Sequence, residues 1–388
     1  MTEKDLALEI PAALLERLPA GVRERIRADW RAVLEERCAA AVDWRWAANP
    51  TGDEELSPLS PQRLGYRPGR HRKLPAPEGR ELTLYGYDAG GRTLVAIERD
   101  GIGADDYYGL FWHDEAESLA LRVQAPSGPW PAQLLAAWRS RNVDSRPVTI
   151  EHLGAEGGSV EQCRWDGDRV VEVRHESRAR EWNLSFRDVV EWKGAKLLRI
   201  ERHWKDGPVE VKFERLPFGV TLEVLAAELE TELVERIPSA VAEAFGRGTR
   251  ICALALGYCD GEKSLPPHLV ACPEAVRREL LEENEDDFWY RWQAAEWMSA
   301  AVVPELVDYG GPDFKARCEQ VDRQVRLGGD ERVTGRVLQA VARHLNELDW
   351  HGRLDVTDDF LVYPWEVHGE SLEADIAACA PRPGRRRR

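Results

Sequence analysis

Glu296 is the residue whose surroundings best suit a catalytic side chain, because it lies among three tryptophans in DDFWYRWQAAEWMSA, residues 286–300. A carboxylate held among indole rings has its charged form disfavoured unless a donor pairs with it. Such a group can serve as a general acid or base, or as a structural acceptor for an indole N–H. No second acid, base or nucleophile is placed beside it by the sequence. We therefore favour the structural role and keep Glu296 as the candidate catalytic residue.

A dense run of acidic residues, 279–287, directly precedes these aromatics. One interpretation of such a run is a solvated helix end. The other is a surface that steers a basic toxin or nuclease domain by charge and anchors it with an aromatic ring. On the second interpretation, the predicted partner-binding residues are Glu282, Glu283, Asp286, Asp287 and Trp289.

Other catalytic and ligand-binding patterns fail on spacing or context. In GYCDGEKS, residues 257–264, Glu262 separates the second glycine from the lysine, so the loop does not match a phosphate-binding motif. His268 and Cys272 lie four residues apart, but prolines flank them and no second ligand pair follows at zinc-site spacing. The sequence has no G-x-S-x-G elbow for serine catalysis. We therefore predict no cofactor and no metal.

The composition is that of a folded, acidic protein. The 388 residues are 43% hydrophobic and 31% charged, which is sufficient for two domains and excludes wholesale disorder. The net charge of -16 disfavours binding to nucleic-acid phosphates or to an anionic membrane. The seven cysteines are scattered without a C-x-x-C pair, which favours reduced thiols. We expect the 15 tryptophans to supply much of the core volume.

The N-terminal residues do not resemble a secretory signal. MTEKDLALEI carries acids where a signal peptide would need a positive start, and no run of 18 apolar residues occurs in the chain. The sequence therefore predicts a cytoplasmic protein.

The chain begins with a predicted helical region and a loop. Residues 11–42 repeat apolar side chains at helical spacing, with a break near Pro19. The prolines and glycines of residues 50–79 favour a solvated loop over a packed element, and residues 67–73 are its most basic part.

Strand patterns dominate the region that follows. Two apolar runs joined by Asp88-Ala89-Gly90-Gly91 predict a β-hairpin, because these turn residues tolerate positive φ. Residues 131–140 begin at a proline and are predicted to form a short helix. Residues 161–215 then read as a run of short strands.

A weak internal repeat runs through these strands. Trp165, Trp192 and Trp204 each lead into a glycine turn and then an alternating strand, so a β-meander can bury the same face repeatedly. His175 and His203 end corresponding strands and are expected to be solvated tips. The repeat resembles the aromatic-aspartate-glycine strand repeats of proteins associated with bacterial toxins and antitoxins.

The second half mixes helices and strands. Helices are predicted at 221–245, 272–284 and 335–350, and strands at 251–258 and 358–367. The predicted fold class is therefore α+β, with two domains. An N-terminal helix and β-meander domain covers 1–216, a mixed α/β domain covers 217–380, and a basic disordered tail covers 381–388.

The aromatic stretch itself is consistent with a core. On one helix, Phe288, Trp292 and Ala295 would share a face, with Trp289 close to Trp292. Such a stripe suits packing against a sheet.

YRWQAAEW, residues 290–297, is similar to the Tyr-x-Trp-Ser-Pro-Ala-Glu-Trp signature of an uncharacterised family of bacterial cytoplasmic proteins. Members of that family are sometimes encountered near polymorphic toxin systems. The surrounding elements agree in order over about residues 217–375. The departure is Gln293-Ala294 at the serine-proline position, which removes a helix-start signal. The resemblance implies a fold and a genomic neighbourhood, without a reaction.

These features lead us to expect a non-catalytic protein-binding protein. Its partner would be a basic toxin or effector, and its role that of an immunity or accessory protein of a bacterial toxin system. Nucleic acid and membrane are not expected partners. The alternatives are a hydrolase that uses Glu296 as general acid or base, and a structural scaffold.

Overall fold

The computed structural model describes residues 8–48, 56–66, 68–78, 80–99, 105–126, 131–154, 157–179, 183–246, 248–259, 264–284, 288–328, 330, 332–367 and 372–379. The chain divides into two compact units, Met1–Arg215 and Leu216–Arg388. Both units contain helices and strands, with a large antiparallel sheet in the first and a small mixed sheet in the second. The α+β class is confirmed at this level. The predicted basic tail, 381–388, lies outside the described residues.

The first unit is built mainly of strands. Its elements are β1 (Leu8–Glu9), α1 (Ala12–Leu15), α2 (Ala20–Ala40), β2 (Asp43–Ala47), α3 (Ser60–Arg63), β3 (Arg72–Lys73), β4 (Leu82–Tyr87), β5 (Thr93–Arg99), β6 (Asp105–His113), β7 (Glu117–Gln124), β8 (Ala132–Val143), β9 (Arg146–Gly154), β10 (Gly157–Asp166), β11 (Arg169–Ala179), β12 (Asn183–Lys193), β13 (Lys196–Trp204) and β14 (Val209–Glu214).

Within the described residues, these strands form a single 14-stranded sheet. From β4 to β14 each strand pairs with the next one along the chain, and the pairs are antiparallel. Strands β2 and β3 extend the sheet beyond β4, while β1 adds parallel to the start of β8. Such a meander needs only short connections, which is why alternating patterns in the sequence identify much of it.

The first predicted hairpin is confirmed as β4 and β5. Asp88 Oδ1 accepts hydrogen bonds from the backbone N–H groups of Gly90 at 2.8 Å and Arg92 at 2.9 Å. Gly91 has a φ of +78°, a conformation that glycine adopts without steric cost. The turn residues therefore determine where the chain reverses.

Helices α1 and α2 cover part of the sheet, which confirms the predicted helical start and its break near Pro19. Leu14, Ile26 and Trp30 are buried in a core that also contains Leu121 and Leu134 of the sheet. Complete burial of one such side chain stabilises the fold by about 1.5–3 kcal/mol. The apolar stripe of α2 is therefore what holds the helix on the sheet.

The predicted helix at residues 131–140 is wrong, because this segment belongs to strand β8. Its residues pair on both sides, with Ala137 opposite Leu121 of β7 and Trp138 opposite His152 of β9. Alanine and leucine favour helices, but hydrogen-bond ladders on both sides of the strand outweigh that local preference.

The predicted solvated loop at residues 50–79 also needs correction. Its described part includes the short helix α3, in which Ser60, Pro61 and Arg63 are buried. Strand β3 pairs with β2, so part of the basic stretch 67–73 belongs to the sheet edge, while Arg67 lies outside the described residues. The segment packs because the guanidinium group of Arg63 forms hydrogen bonds with residues on the sheet.

The tryptophan repeat has a structural counterpart. Trp165 donates its indole N–H to the carbonyl of Pro147, and Trp192 donates to that of Val170, both at 2.8 Å. Both rings pack against one cluster of buried aliphatic side chains on the sheet. The third repeat differs, because Trp204 lines a cavity.

The second unit surrounds a smaller sheet with helices. Its elements are α4 (Leu222–Phe245), β15 (Ile251–Tyr258), β16 (His268–Pro273), α5 (Glu274–Glu283), α6 (Phe288–Trp292), α7 (Ala294–Ala300), β17 (Glu305–Leu306), α8 (Pro312–Gly328), α9 (Arg332–Asn346), β18 (Val356–Glu366) and α10 (Leu372–Cys379). The strand order is β17-β16-β15-β18, and only the pair of β15 with β18 is parallel among these described strands.

The predicted helices and strands of this unit are largely confirmed. Strand β15 is buried along its whole length, as a central strand between two neighbours requires. Helix α4 is capped at its N-terminus by Thr221, whose side chain accepts a hydrogen bond from the N–H of Val224. Helix α9 packs against both α4 and β18. None of the helices in the described ranges has the length and apolar character needed to cross a membrane.

Candidate functional site

Helix α5 presents a row of carboxylates to solvent. Glu279, Glu282 and Glu283 are exposed, and Glu282 and Glu283 lie about one turn after Glu279, so the three share one side of the helix. The opposite face is held to the sheet by Arg277, whose guanidinium group donates to both carboxylate oxygens of Asp359 at 2.8 and 3.0 Å. The acidic face therefore belongs to a helix whose opposite face is bound to the sheet.

Exposed aromatic rings follow this helix in the chain. Asp286 and Asp287, both predicted to bind a partner, lie outside the described residues. Phe288 is 40% exposed and Trp289 is 39% exposed, and α6 and α7 both pack against α5. We call Glu279, Glu282, Glu283, Phe288 and Trp289 the acidic–aromatic surface.

The other two tryptophans of the stretch belong to the core. Trp292 and Trp297 both contact Tyr363 of β18 edge-on. The ring centroid of Tyr363 lies 5.7 Å from that of Trp292 and 6.3 Å from that of Trp297. The hydroxyl group of Tyr363 donates to the carbonyl of Trp292, and Trp297 is completely buried. The aromatic stretch is thus partly core and partly surface.

One continuous helix through this stretch is a wrong prediction. The backbone at Gln293 is extended, with φ -81° and ψ 109°, and divides the stretch into α6 and α7. Helix α7 nevertheless starts at Ala294, where the resemblance would place proline. The break lets Trp292 and Trp297 reach the core while Phe288 and Trp289 remain exposed.

Glu296, the candidate catalytic residue, lies on α7. Its Oε1 atom accepts a hydrogen bond from the indole N–H of Trp289 at 3.3 Å. The contact joins α6 to α7 and orients the exposed ring. This geometry corresponds to the structural role considered for Glu296.

The pair His268 and Cys272 does not form a metal site in this structure. His268 Nε2 lies 3.0 Å from a carboxylate oxygen of Glu305, while Cys272 is fully buried and its thiol points to the carbonyl of Pro273. Burial raises the pKa of Cys272. Among the described residues, no three histidine, cysteine or acidic side chains are grouped to hold a metal ion.

A second candidate site is a cavity of about 340 Å³ in the first unit. One wall is the segment that carries α3, and the rest comes from one face of β8 to β13. Glu161, His175, Phe186 and Trp204 lie opposite one another on four neighbouring strands and form a row across this face. Cross-strand neighbours on one face of a sheet are close, so these four side chains lie side by side along the cavity.

A network of charges closes one side of the cavity. Asp188 is completely buried and accepts from Arg63 Nε at 2.7 Å and from Arg202 Nε at 2.8 Å. Arg63 also binds both oxygens of Glu161, at 2.8 and 3.0 Å. Two cations thus face two anions, so this set of four groups carries no net charge.

Glu161 is held in its ionised form. Burial alone would raise the pKa of this carboxyl group, but hydrogen bonds from His175, Arg63 and Ser57 and the charge of Arg63 outweigh burial. The pKa of Glu161 therefore lies well below its ordinary value. The nearby Cys163 thiol responds in the opposite sense, because burial and the Glu161 charge raise its pKa to about 12.

Aromatic rings line the remaining walls. His175 stacks on Phe186 with the ring centroids 4.5 Å apart and an interplanar angle of 11°. Trp138 and His152 form a second pair, with centroids 5.0 Å apart. The guanidinium group of Arg202 lies 3.8 Å from the centroid of Phe186. The cavity thus has aromatic walls on both sides of β10, from β8 and β9 on one side and from β11 and β12 on the other.

His175 and His203 have different surroundings, although they occupy corresponding positions in the repeat. The side chain of His175 is 18% exposed and lies in the cavity, with Nδ1 3.2 Å from Glu161 Oε1. His203 points to the opposite face of its strand, where Nε2 lies 3.3 Å from a carboxylate oxygen of Glu201. The expectation of a solvated tip is therefore wrong for His175.

The sequence patterns do not predict this cavity. A usable signal was present, because Asp188 and Arg202 each share a strand face with a buried apolar residue, Val190 and Ile200 respectively. A charged side chain at an inward position of an alternating strand requires a partner. The sequence does not show that Arg63, 125 residues earlier, supplies that partner for Asp188.

No family model, curated protein or solved structure matches this chain. The resemblance carried by YRWQAAEW therefore stays a prediction. Function must be inferred from the geometry of the acidic–aromatic surface and of the cavity.

Proposed function

We propose that this chain is a non-catalytic cytoplasmic protein that binds a basic protein partner through the acidic–aromatic surface. The role we propose is that of an immunity or accessory protein of a bacterial toxin system. The two compact units would then act as two domains, with the second carrying the binding surface. The observation that carries the proposal is the exposure of Phe288 and Trp289 directly after the carboxylates of α5.

The two parts of this surface have different physical roles. Glu279, Glu282 and Glu283 supply negative charge, which accelerates the encounter with a cationic surface and falls in influence as salt rises. The exposed ring of Trp289 supplies apolar area with few rotatable bonds, which is typical of residues that dominate binding energy. A basic partner with an apolar pocket would match both the negative charge of the glutamates and the exposed ring of Trp289.

The position of Trp289 also supports a binding role. Its indole N–H is held by Glu296 at 3.3 Å, and α6 lies against α5. A ring that is already oriented loses less conformational entropy when a partner covers it. The same bond weakens the hydrolase alternative, because it gives Glu296 a structural use that needs no substrate.

The experiment begins with affinity capture from the native host and continues with the purified partner. The double variant Glu282→Lys/Glu283→Lys tests the surface, and Glu228→Lys/Glu235→Lys on the exposed side of α4 provides a control with the same change in charge. We expect the first variant to weaken binding at least about tenfold at physiological salt, with little effect of the second. Equal affinity of the wild type and both variants would remove the support for this surface.

A further inference from the structure

We infer that the cavity of the first unit binds an uncharged, flat nitrogen heterocycle that donates an N–H group, of the size of a nucleobase or an indole. The inference rests on the volume of the cavity, the stacked rings, the paired charges and the contact between His175 and Glu161. It does not depend on the acidic–aromatic surface.

The volume of the cavity suits a ligand of one or two rings. Its volume of about 340 Å³ lies at the lower end of the range of about 300–1,000 Å³ that is usual for small-molecule pockets. A dinucleotide or an extended peptide would need more room.

The walls are suited to a flat ring. His152 on β9 and His175 on β11 stand on either side of β10, offset by two residues along the strands, so their backbones are about 12 Å apart. Each belongs to an aromatic pair, with Trp138 on one side and Phe186 on the other. An aromatic ligand placed over β10 can therefore make ring contacts with both walls.

The charges lining the cavity favour a neutral ligand. Asp188 and Glu161 are already bound by Arg63 and Arg202, so a cationic ligand would compete with buried ion pairs. The Arg202 guanidinium group also lies over Phe186, which occupies a ring face that could otherwise attract a cation. An anionic ligand would have to draw one of the arginines away from its carboxylate.

The hydrogen bond between His175 and Glu161 determines which ligand group can be recognised. An ionised carboxylate only accepts hydrogen bonds, so in its neutral form His175 carries the proton on Nδ1, which lies 3.2 Å from Oε1 of Glu161. The other ring nitrogen, Nε2, is then an acceptor. A ligand N–H meets this requirement, whereas a carbonyl oxygen does not.

Calorimetry and saturation-transfer NMR on the full chain test the inference, with adenine, indole and N-acetyltryptophanamide as probes. N-methylindole keeps the ring but lacks the N–H, and benzoate keeps a ring but carries a charge. We expect at least one N–H probe to bind, and we expect N-methylindole and benzoate to bind about tenfold more weakly, because a buried acceptor is left unpaired or a charge is buried. Preference for adenine would assign a free nucleobase, and preference for the amide would assign an indole side chain.

Two variants locate the binding. Leu184→Trp places a large ring at the lining of the cavity from a side chain that is 42% exposed, so the fold should tolerate it. Phe213→Leu changes a partly buried ring elsewhere on the same sheet and serves as the control. We expect the first variant to lose about tenfold in affinity, with the control unchanged. The inference is overturned if no N–H probe binds at millimolar concentration, or if Leu184→Trp binds as tightly as the control.

Discussion

Arg63 and Asp188, 125 residues apart in the chain, meet in the interior of the first unit with Nε 2.7 Å from Oδ2. The same carboxylate accepts from Arg202, and the second arginine also donates to the backbone carbonyl of Arg63. One buried anion thus holds both the α3 segment and strand β13. This contact explains why a stretch rich in proline and glycine packs on the sheet.

Removing that anion should destabilise the first unit strongly. We expect Asp188→Asn to lower the free energy of unfolding by about 3–5 kcal/mol, because it leaves buried arginine charge without compensation. Denaturant unfolding measures the change. Glu117→Gln, which breaks an exposed ion pair with Arg139, should cost at most about 1 kcal/mol. Similar losses in the two variants would contradict a special role for the buried network.

Acid should act on the same network through Glu161. Its pKa is lowered in the folded state, so its contribution to stability is complete above the ordinary value of 4.5 and declines as pH falls towards the lower folded-state pKa. We expect Glu161→Gln to be less stable than the wild type at pH 7, with a difference that shrinks below about pH 4.5. A difference that stays constant from about pH 7 to about pH 3 would show that the ionised form is not favoured by folding.

The tryptophan repeat can be tested by removing its indole donors. Trp165→Phe and Trp192→Phe each lose a 2.8 Å hydrogen bond to a backbone carbonyl and some packing volume. We expect each to cost about 1–3 kcal/mol in the free energy of unfolding. Trp46→Phe removes a longer bond in an exposed position, 3.2 Å to Lys73, where water can replace the donor. A cost for Trp46→Phe as large as for the other two would argue against a structural repeat.

Much of the fold is accessible from the sequence because its contacts are local. The turn at Asp88 and the glycine turns after Trp165 and Trp192 lie within single hairpins, where alternation and turn residues act together. The exception is β8, whose alanines and leucines favour a helix locally. Pairing with the neighbouring strands of the sheet makes it a strand.

The two candidate sites differ in this respect. The acidic run at Glu282 and Glu283 is visible in the sequence because neighbours in the chain are neighbours on α5. The division between the buried Trp297 and the exposed Trp289 is not visible, because it depends on the backbone break at Gln293. The cavity is harder still to predict from the sequence. It combines α3 with strands β8 to β13 and depends on side-chain pairing across the sheet.

The most direct test of the central claim is the association and dissociation kinetics of the purified partner at several salt concentrations. Charge reversal in Glu282→Lys/Glu283→Lys should lower the association rate constant, with the largest effect at low salt. Trp289→Ala should instead raise the dissociation rate constant by about tenfold or more, because it removes an oriented anchor. Rate constants that match the wild type in both variants, at every salt concentration, would contradict partner binding through the acidic–aromatic surface.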